Sequence, residues 1–205
     1  KPASLTFIGG GFISLEYAHF FAALGVNVTI IDRNTTLLRS EEPEISGLLK
    51  KEMGKRVTLH LGAEILEVRH AGNGYTLLVK DSGSGLEKEI SAEALMVSAG
   101  RRSNADLLKP ENAGLETDKA NFIKVDQYLQ TNRKHIWALG DAIGRAMFTH
   151  AGDREAEVAW HNATHRKKMK MEFGSVPHAV FTCPQIASVG LTEEQAGKAH
   201  DILVG

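Results

Sequence analysis

The stretch Leu5-Thr6-Phe7-Ile8-Gly9-Gly10-Gly11-Phe12-Ile13-Ser14-Leu15-Glu16 decides the fold. A short, mostly apolar run enters three glycines and leaves as an apolar pattern at helical spacing through Phe12, Ile13, Leu15, Ala18, Phe20, Phe21 and Leu24. That order of strand, tight turn and helix start marks a dinucleotide-binding βαβ unit. Gly9 suits the turn, Gly10 lies within it, and Gly11 lets the backbone approach a pyrophosphate. The phosphates would meet the unpaired N–H groups and positive end of the new helix. Ser14 stands at the third glycine position, so helix and strand must leave room for one hydroxymethyl group. A glycine turn without a ligand is the bland alternative, and the downstream residues weigh against it. Gly25 suits the helix stop. Val28-Thr29-Ile30-Ile31 reads as a buried parallel strand ending in Asp32. An acidic residue about twenty positions past the glycines is where ribose hydroxyls are held.

The 205 residues are 42% hydrophobic and 24% charged with a formal net charge of −1, values of an ordinary globular chain of one large or two modest domains. A charge this small argues against a dedicated nucleic-acid surface. The run Arg166-Lys167-Lys168-Met169-Lys170 reads as a solvated helix end. No apolar stretch approaches the ~20 residues of a membrane span, and no signal peptide is visible at Lys1. One cysteine allows no intrachain disulfide, which suits a cytoplasmic setting.

Pro43 to about Met53 reads as a second helix, with Glu42 and Glu44 near its start and Ile45, Leu48 and Leu49 at helical spacing. Val57–Leu61 reads as a third parallel strand. Strand-like runs at 64–69, 75–80 and 86–90 are separated by Gly72-Asn73-Gly74 and Ser82-Gly83-Ser84-Gly85, which predicts an antiparallel meander. Ala94–Ala99 is another apolar strand, closed by Gly100. From Arg101 to Phe173 a loop rich in Asn, Gly and Pro leads to strands at Phe122–Val125 and His135–Leu139 and a helix over about 149–171. Gly174-Ser175-Val176-Pro177 reads as a linker into a third piece. About thirty residues cannot bury a core of their own.

Four further motifs make the chain resemble the central part of a flavoprotein disulfide reductase, the family of dihydrolipoamide dehydrogenase, glutathione reductase and mercuric reductase. They are Ala99-Gly100-Arg101-Arg102-Ser103-Asn104, with Ser103 in place of the family's proline; Thr131 to Asp141, ending Ala138-Leu139-Gly140-Asp141; Met147-Phe148-Thr149-His150; and Val180 to Glu194. The resemblance spans essentially the whole chain. It implies an α/β fold: a Rossmann-like NAD(P)-binding domain with an antiparallel meander over 1–100, the C-terminal part of an FAD-binding domain over 101–173, and the start of an α+β interface domain over 174–205.

The resemblance further implies FAD and NAD as cofactors, with NADP as an alternative. The candidate binding residues are Gly9, Gly10, Gly11, Phe12, Ile13, Glu16, Asp32, Arg33, Arg39, Ile65, Gly100, Arg101, Gly140, Asp141, Met147, Phe148, Thr149 and His150. Asp141 would hold the flavin ribityl chain; a helix N-cap is its plain alternative. Residues 147–150 would lie along the isoalloxazine ring, although His150 taken alone reads as a packed histidine. Glu16 would pair with a lysine beside the flavin. Phe12 would cover the nicotinamide site, or serve as a core aromatic at the helix start. Asp32 favours NAD, because its charge repels a 2′-phosphate. Arg33 and Arg39 fall where NADP-using relatives clamp that phosphate, and either could pair with Asp32 instead. The activity implied is hydride transfer between nicotinamide and flavin and onward to a small-molecule or protein-bound disulfide, in a homodimer. A complete non-catalytic nucleotide-binding module is the reading from another class. The redox cysteine pair and interface-domain histidine are absent from these residues, so no catalytic residue is assigned. Cys183 reads as a buried spectator. His161 and His165 have metal-ligand spacing without a third ligand.

Overall fold

Strand β1, Ser4–Ile8, carries apolar and small side chains on both faces, and its central three residues are buried. Such a strand belongs inside a parallel sheet covered on both sides. In the computed structural model, which describes residues 1–205 apart from the side chain of Ala71, that is its place. Helix α1, Phe12–Ala23, follows the glycine turn and leads to strand β2, Asn27–Asp32. Helix α2, Pro43–Met53, has proline in its first turn, Glu44 beside it and Lys50 and Lys51 in its last turn, all of which suit the helix dipole. Strand β3 is Thr58–Leu61. The meander is β4, Ala63–Ala71; β5, Gly74–Asp81; and β6, Glu87–Ala92. Strand β7, Ala94–Val97, returns to the parallel sheet, whose order is β3-β2-β1-β7.

Register places Ile8 beside Ile31 and Val97, so the C-terminal ends of β1, β2 and β7 share one edge. Ile30 and Ile31 point to opposite faces. Ile30 joins Phe7, Leu15, Leu49 and Met53 on the helical side, and Ile31 joins Leu77 and Val79 on the meander side. Full burial of Phe7 and Leu15 contributes roughly 1.5–3 kcal/mol each.

The chain gathers into two units. The first holds residues 1–100, 179–188 and 192–205; the second holds 101–178 and 189–191. Strands β8, His178–Val180, and β9, Ile186–Ser188, form a two-stranded ribbon, and Val180 and Ile186 enter the core of the first unit.

The second unit departs from the expected strands. Phe122–Val125 and His135–Leu139 make only isolated bridges, Thr117 with Ile123 and Gln130 with Trp137. Aspartate turns organise this region instead: Asp118 Oδ1 accepts the N–H groups of Ala120 and Phe122, and Asp126 Oδ1 those of Tyr128 and Gln130. Helix α3, Ala105–Leu108, is a single turn. Helix α4 spans Thr149–Thr164 and stops short of residue 171. The buried Asn162 donates to the carbonyls of Tyr128 and Met169 and accepts the Met169 N–H, which folds residues 165–169 back. Lys168 donates to the carbonyls of Asn162 and His165 near the helix end. Its core is Leu129, Ile143, Val158, Ala159 and Met171. In the first unit, helix α5, Glu193–Ala196, opens with a Thr192–Gln195 capping box. Among the described residues no helix is long and apolar enough to cross a membrane.

Candidate functional site

The glycine turn is built by close backbone approach. Gly9 has φ +109, and a Cβ there would lie 2.6 Å from the Ser98 carbonyl. Its N–H donates to the Ile31 carbonyl at 2.8 Å, extending the β1–β2 ladder into the turn. At Gly10 a Cβ would stand 2.9 Å from Asp32 Oδ2, whereas at Gly11 it would meet nothing within 4 Å. The turn is tight on its protein side and open at the residue that starts the helix. Gly11 takes the N-cap position with no side-chain cap, so the helix end keeps its capacity for an anion. Ser14 fills the third motif position by bonding: its hydroxyl lies 2.6 Å from that of Ser98, and the residue is fully buried. The departure from glycine thereby ties α1 to the end of β7.

Asp32 is held by its own loop. Oδ2 accepts the Gly10 N–H, and Oδ1 accepts the Asn34 N–H at 2.6 Å and Nδ2 at 2.7 Å. A carboxylate offers about four acceptor sites, so capacity is left for ribose hydroxyls. Among the described residues neither Arg33 nor Arg39 forms an ion pair with Asp32. Arg39 donates to Asn34 Oδ1 at 3.2 Å, and Arg33 is exposed. Asn34, which sequence reasoning missed, is the bridge between acid and arginine. Phe12 and Ile13 open α1, half-buried, with Phe12 packed on the core, and Glu16 accepts the Phe181 N–H at 2.9 Å. Ile65, partly buried, packs against the meander core at the start of an irregularity in the β4–β5 register.

In the second unit Gly140, φ +66, opens a 3₁₀ turn over Gly140–Ile143 that carries Asp141. Asp141 is therefore not the N-cap of α4; that position is Phe148. Arg101 donates to Asp141 Oδ2 at 2.8 Å and to the Met147 carbonyl at 3.3 Å. The Asp141 side chain is 65% exposed, so the pair adds little stability and leaves the acid accessible. Phe148 stacks with two rings, its centroid 5.6 Å from that of His150 and 5.8 Å from that of His178. His150 Nε2 donates to the Pro177 carbonyl at 2.7 Å, and Thr149 is the first residue of α4. Gly100, φ +130, stands at the end of the first unit.

Sequence reasoning missed Glu155. It is fully buried on the face of α4 that also holds Ala151, Val158, Ala159 and Asn162, and one carboxyl oxygen accepts the Gly140 N–H. Burial pushes its carboxyl above the ordinary range, with the nearby Asp141 adding to this, against the Gly140 bond and Arg145. A carboxylate at a core position of an amphipathic pattern was the signal available.

Cys183 is exposed, which corrects its reading as a buried spectator; the neighbouring Thr182 is the residue turned inward, donating to the Pro184 carbonyl. His161 and His165 stack with centroids 4.4 Å apart, and no group of three or more metal-ligating side chains occurs among the described residues.

The family model for pyridine nucleotide-disulphide oxidoreductases matches residues 1–163. Mycothione reductase of Mycobacterium tuberculosis is 36% identical over 209 residues, covering 99% of this chain and 44% of that protein. A dihydrolipoyl dehydrogenase of Haloferax volcanii is 34% identical over 204 residues, covering 97% of this chain and 42% of its own length. Among solved structures, the HOCl-induced flavoprotein disulfide reductase RclA of Escherichia coli superposes with a TM-score of 0.85 at 28% identity, covering 97% of this chain and 45% of that one. The chain thus spans less than half the length of these relatives. By its glycine turn, its sheet and the extent of the match, it belongs to the pyridine nucleotide-disulphide oxidoreductase family.

Proposed function

We propose that these residues are the nicotinamide-binding part, with a portion of the flavin-binding part, of an FAD-dependent enzyme that moves a hydride between NAD(H) and flavin and on to a disulfide. One observation carries the reading: a glycine turn whose backbone leaves no room for a Cβ at Gly9, crowded by the Asp32 and Leu37 side chains at Gly10, open at Gly11, and clamped to Asp32 at the strand end. The residues present fit both groups. Gly9, Gly10 and Gly11 would cradle the pyrophosphate and Asp32 the adenosine ribose, while Asp141 would accept a flavin hydroxyl beside residues 147–150. When bound, flavin and nicotinamide supply the two-electron chemistry. The chain's own work is to bind and orient: helix α1 presents its N-terminus to negative charge, and Asp32 repels a 2′-phosphate. Residues 174–205 as the start of an interface domain, a homodimer, a small-molecule or protein-bound disulfide substrate and a cytoplasmic setting belong to the same proposal. The names of the relatives support the substrate class, and the single cysteine supports the setting.

One observation favours NADP as a second reading. Arg33 is exposed, and among the described residues Arg39 bonds to the neutral Asn34, so both guanidinium groups are available to a phosphate. A single experiment addresses both readings. The chain is mixed with FAD, freed of excess and titrated with NADH or NADPH while the visible spectrum is recorded. A retained flavin band bleached at lower NADH than NADPH is the expected result. Preference for NADPH would replace the first reading with the second, and failure to bind either nucleotide would overturn both.

A further inference from the structure

We propose that Glu155 is a positioning residue: through the Gly140 N–H it sets the peptide that presents Asp141 to a cofactor hydroxyl. The inference rests on the reading of Asp141 given above. Asp141 has little means of setting itself, since its side chain is mostly exposed and its bond is to Arg101, itself 39% exposed. The backbone around it is not rigid by composition either. Gly140 sits at φ +66 with nothing within 4 Å of its would-be Cβ, and Leu139 before it is extended. The Gly140 N–H is tied across to Glu155 on α4, and the turn is closed behind by Gly144 N–H to the Asp141 carbonyl at 3.2 Å. Helix α4 comes close at this point: a Cβ on Gly152 would be 3.9 Å from Gly140 Cα.

A carboxyl is a costly filler for such a place. Glu155 is fully buried on the packed face of α4, and its second oxygen, Oε1, has no hydrogen-bond partner among the described residues. An apolar side chain would pack the same face without the desolvation cost. What the carboxyl supplies, and an apolar residue cannot, is an acceptor for the Gly140 N–H. Asp141 follows that peptide directly, so the acceptor on α4 governs where its carboxylate stands.

The test uses the 205-residue chain with E155Q, which keeps an acceptor, and E155L, which removes it. Amide hydrogen exchange of Gly140 is read without ligand, and FAD affinity is read by flavin fluorescence in wild type, both variants, D141A and D141A/E155L. E155L should speed Gly140 exchange and weaken FAD binding by about tenfold each, while E155Q stays within about threefold of wild type. D141A/E155L should bind FAD no more weakly than D141A alone, because coupled residues are not additive. Additive losses, or slow Gly140 exchange in folded E155L, would overturn the positioning role. Should E155L fail to fold, the Gly140 amide shift decides: it must move with pH in wild type and stay still in E155Q, and any other pattern overturns the proposal. If D141A leaves FAD affinity unchanged, or no form of the chain binds FAD, the reading of Asp141 fails instead, and the exchange data still judge the bond.

Discussion

His60 on β3 and Lys88 on β6 lie 3.0 Å apart, His60 Nδ1 to Lys88 Nζ. An ammonium has no acceptor to offer, so Nδ1 takes its hydrogen and the imidazole proton of the neutral form sits on Nε2. Burial, and then the charge of Lys88, hold the His60 pKa below its ordinary 6.5. The native state therefore binds fewer protons than the unfolded chain in this range, so stability is full above 6.5 and is lost as the pH falls below it. In K88M the His60 titration, followed by NMR, should move part of the way back toward 6.5 and the acid loss of stability should shrink. An unmoved titration would leave burial as the whole cause. At this scale the sequence was informative where chemistry is local. Asp32 was assigned from its place after a strand, and it does face the glycine turn. Its real neighbours, Asn34 and the Gly10 amide, were not legible, because a carboxylate's choice among several donors depends on loop geometry. Cys183 shows the same limit, since its exposure is set by which of two adjacent residues turns inward.

Helix α2 was readable in its start and its approximate end, because a proline and acid mark its first turn and its apolar residues fall at helical spacing; the lysines of its last turn agree. The meander was readable for a similar reason, its strands being divided by glycine-rich turns; Gly72 and Gly85 both take positive φ. The failures lie in the second unit. An apolar run such as His135–Leu139 looks like a strand, yet it pairs only across residues 129–131, through the Gln130–Trp137 bridge and the bonds of Thr131 N–H to Ile136 and Ala138 N–H to Leu129. There the Asp126 turn takes the Tyr128 and Gln130 N–H groups and ends the ladder. Helix α4 ends early because Asn162 offers the returning chain a better set of bonds than another helical turn. Asn162 is fully buried and its three bonds run between 2.7 and 2.9 Å. N162A should therefore cost about 2–4 kcal/mol, read from the urea midpoint at unchanged slope. A loss within about 0.5 kcal/mol, the range of neutral surface changes, would mean that Lys168 alone terminates the helix.

At the scale of the molecule, the motifs were legible in sequence order, and the glycine turn and meander of the first unit and the Gly-Asp turn and late helix of the second are each present in the structure. What sequence order hid is that nearness along the chain and membership of a core differ. Val180 and Ile186 are 2% and 8% exposed, packed among residues drawn from 1–100, and Phe181 is bonded to Glu16. A fragment of residues 1–100 should consequently unfold at lower urea than the full chain and bind an apolar dye, and a peptide of residues 179–188 added in trans should reverse both changes. Equal stability of fragment and full chain would show that the late segment contributes nothing. The unit that carries the glycine turn is stitched from separated stretches of sequence, 1–100, 179–188 and 192–205. Because Val180 and Ile186 belong to that core, synthesis must run well past Gly100 before the unit can close, so a nascent chain paused at Gly100 holds an unfinished core.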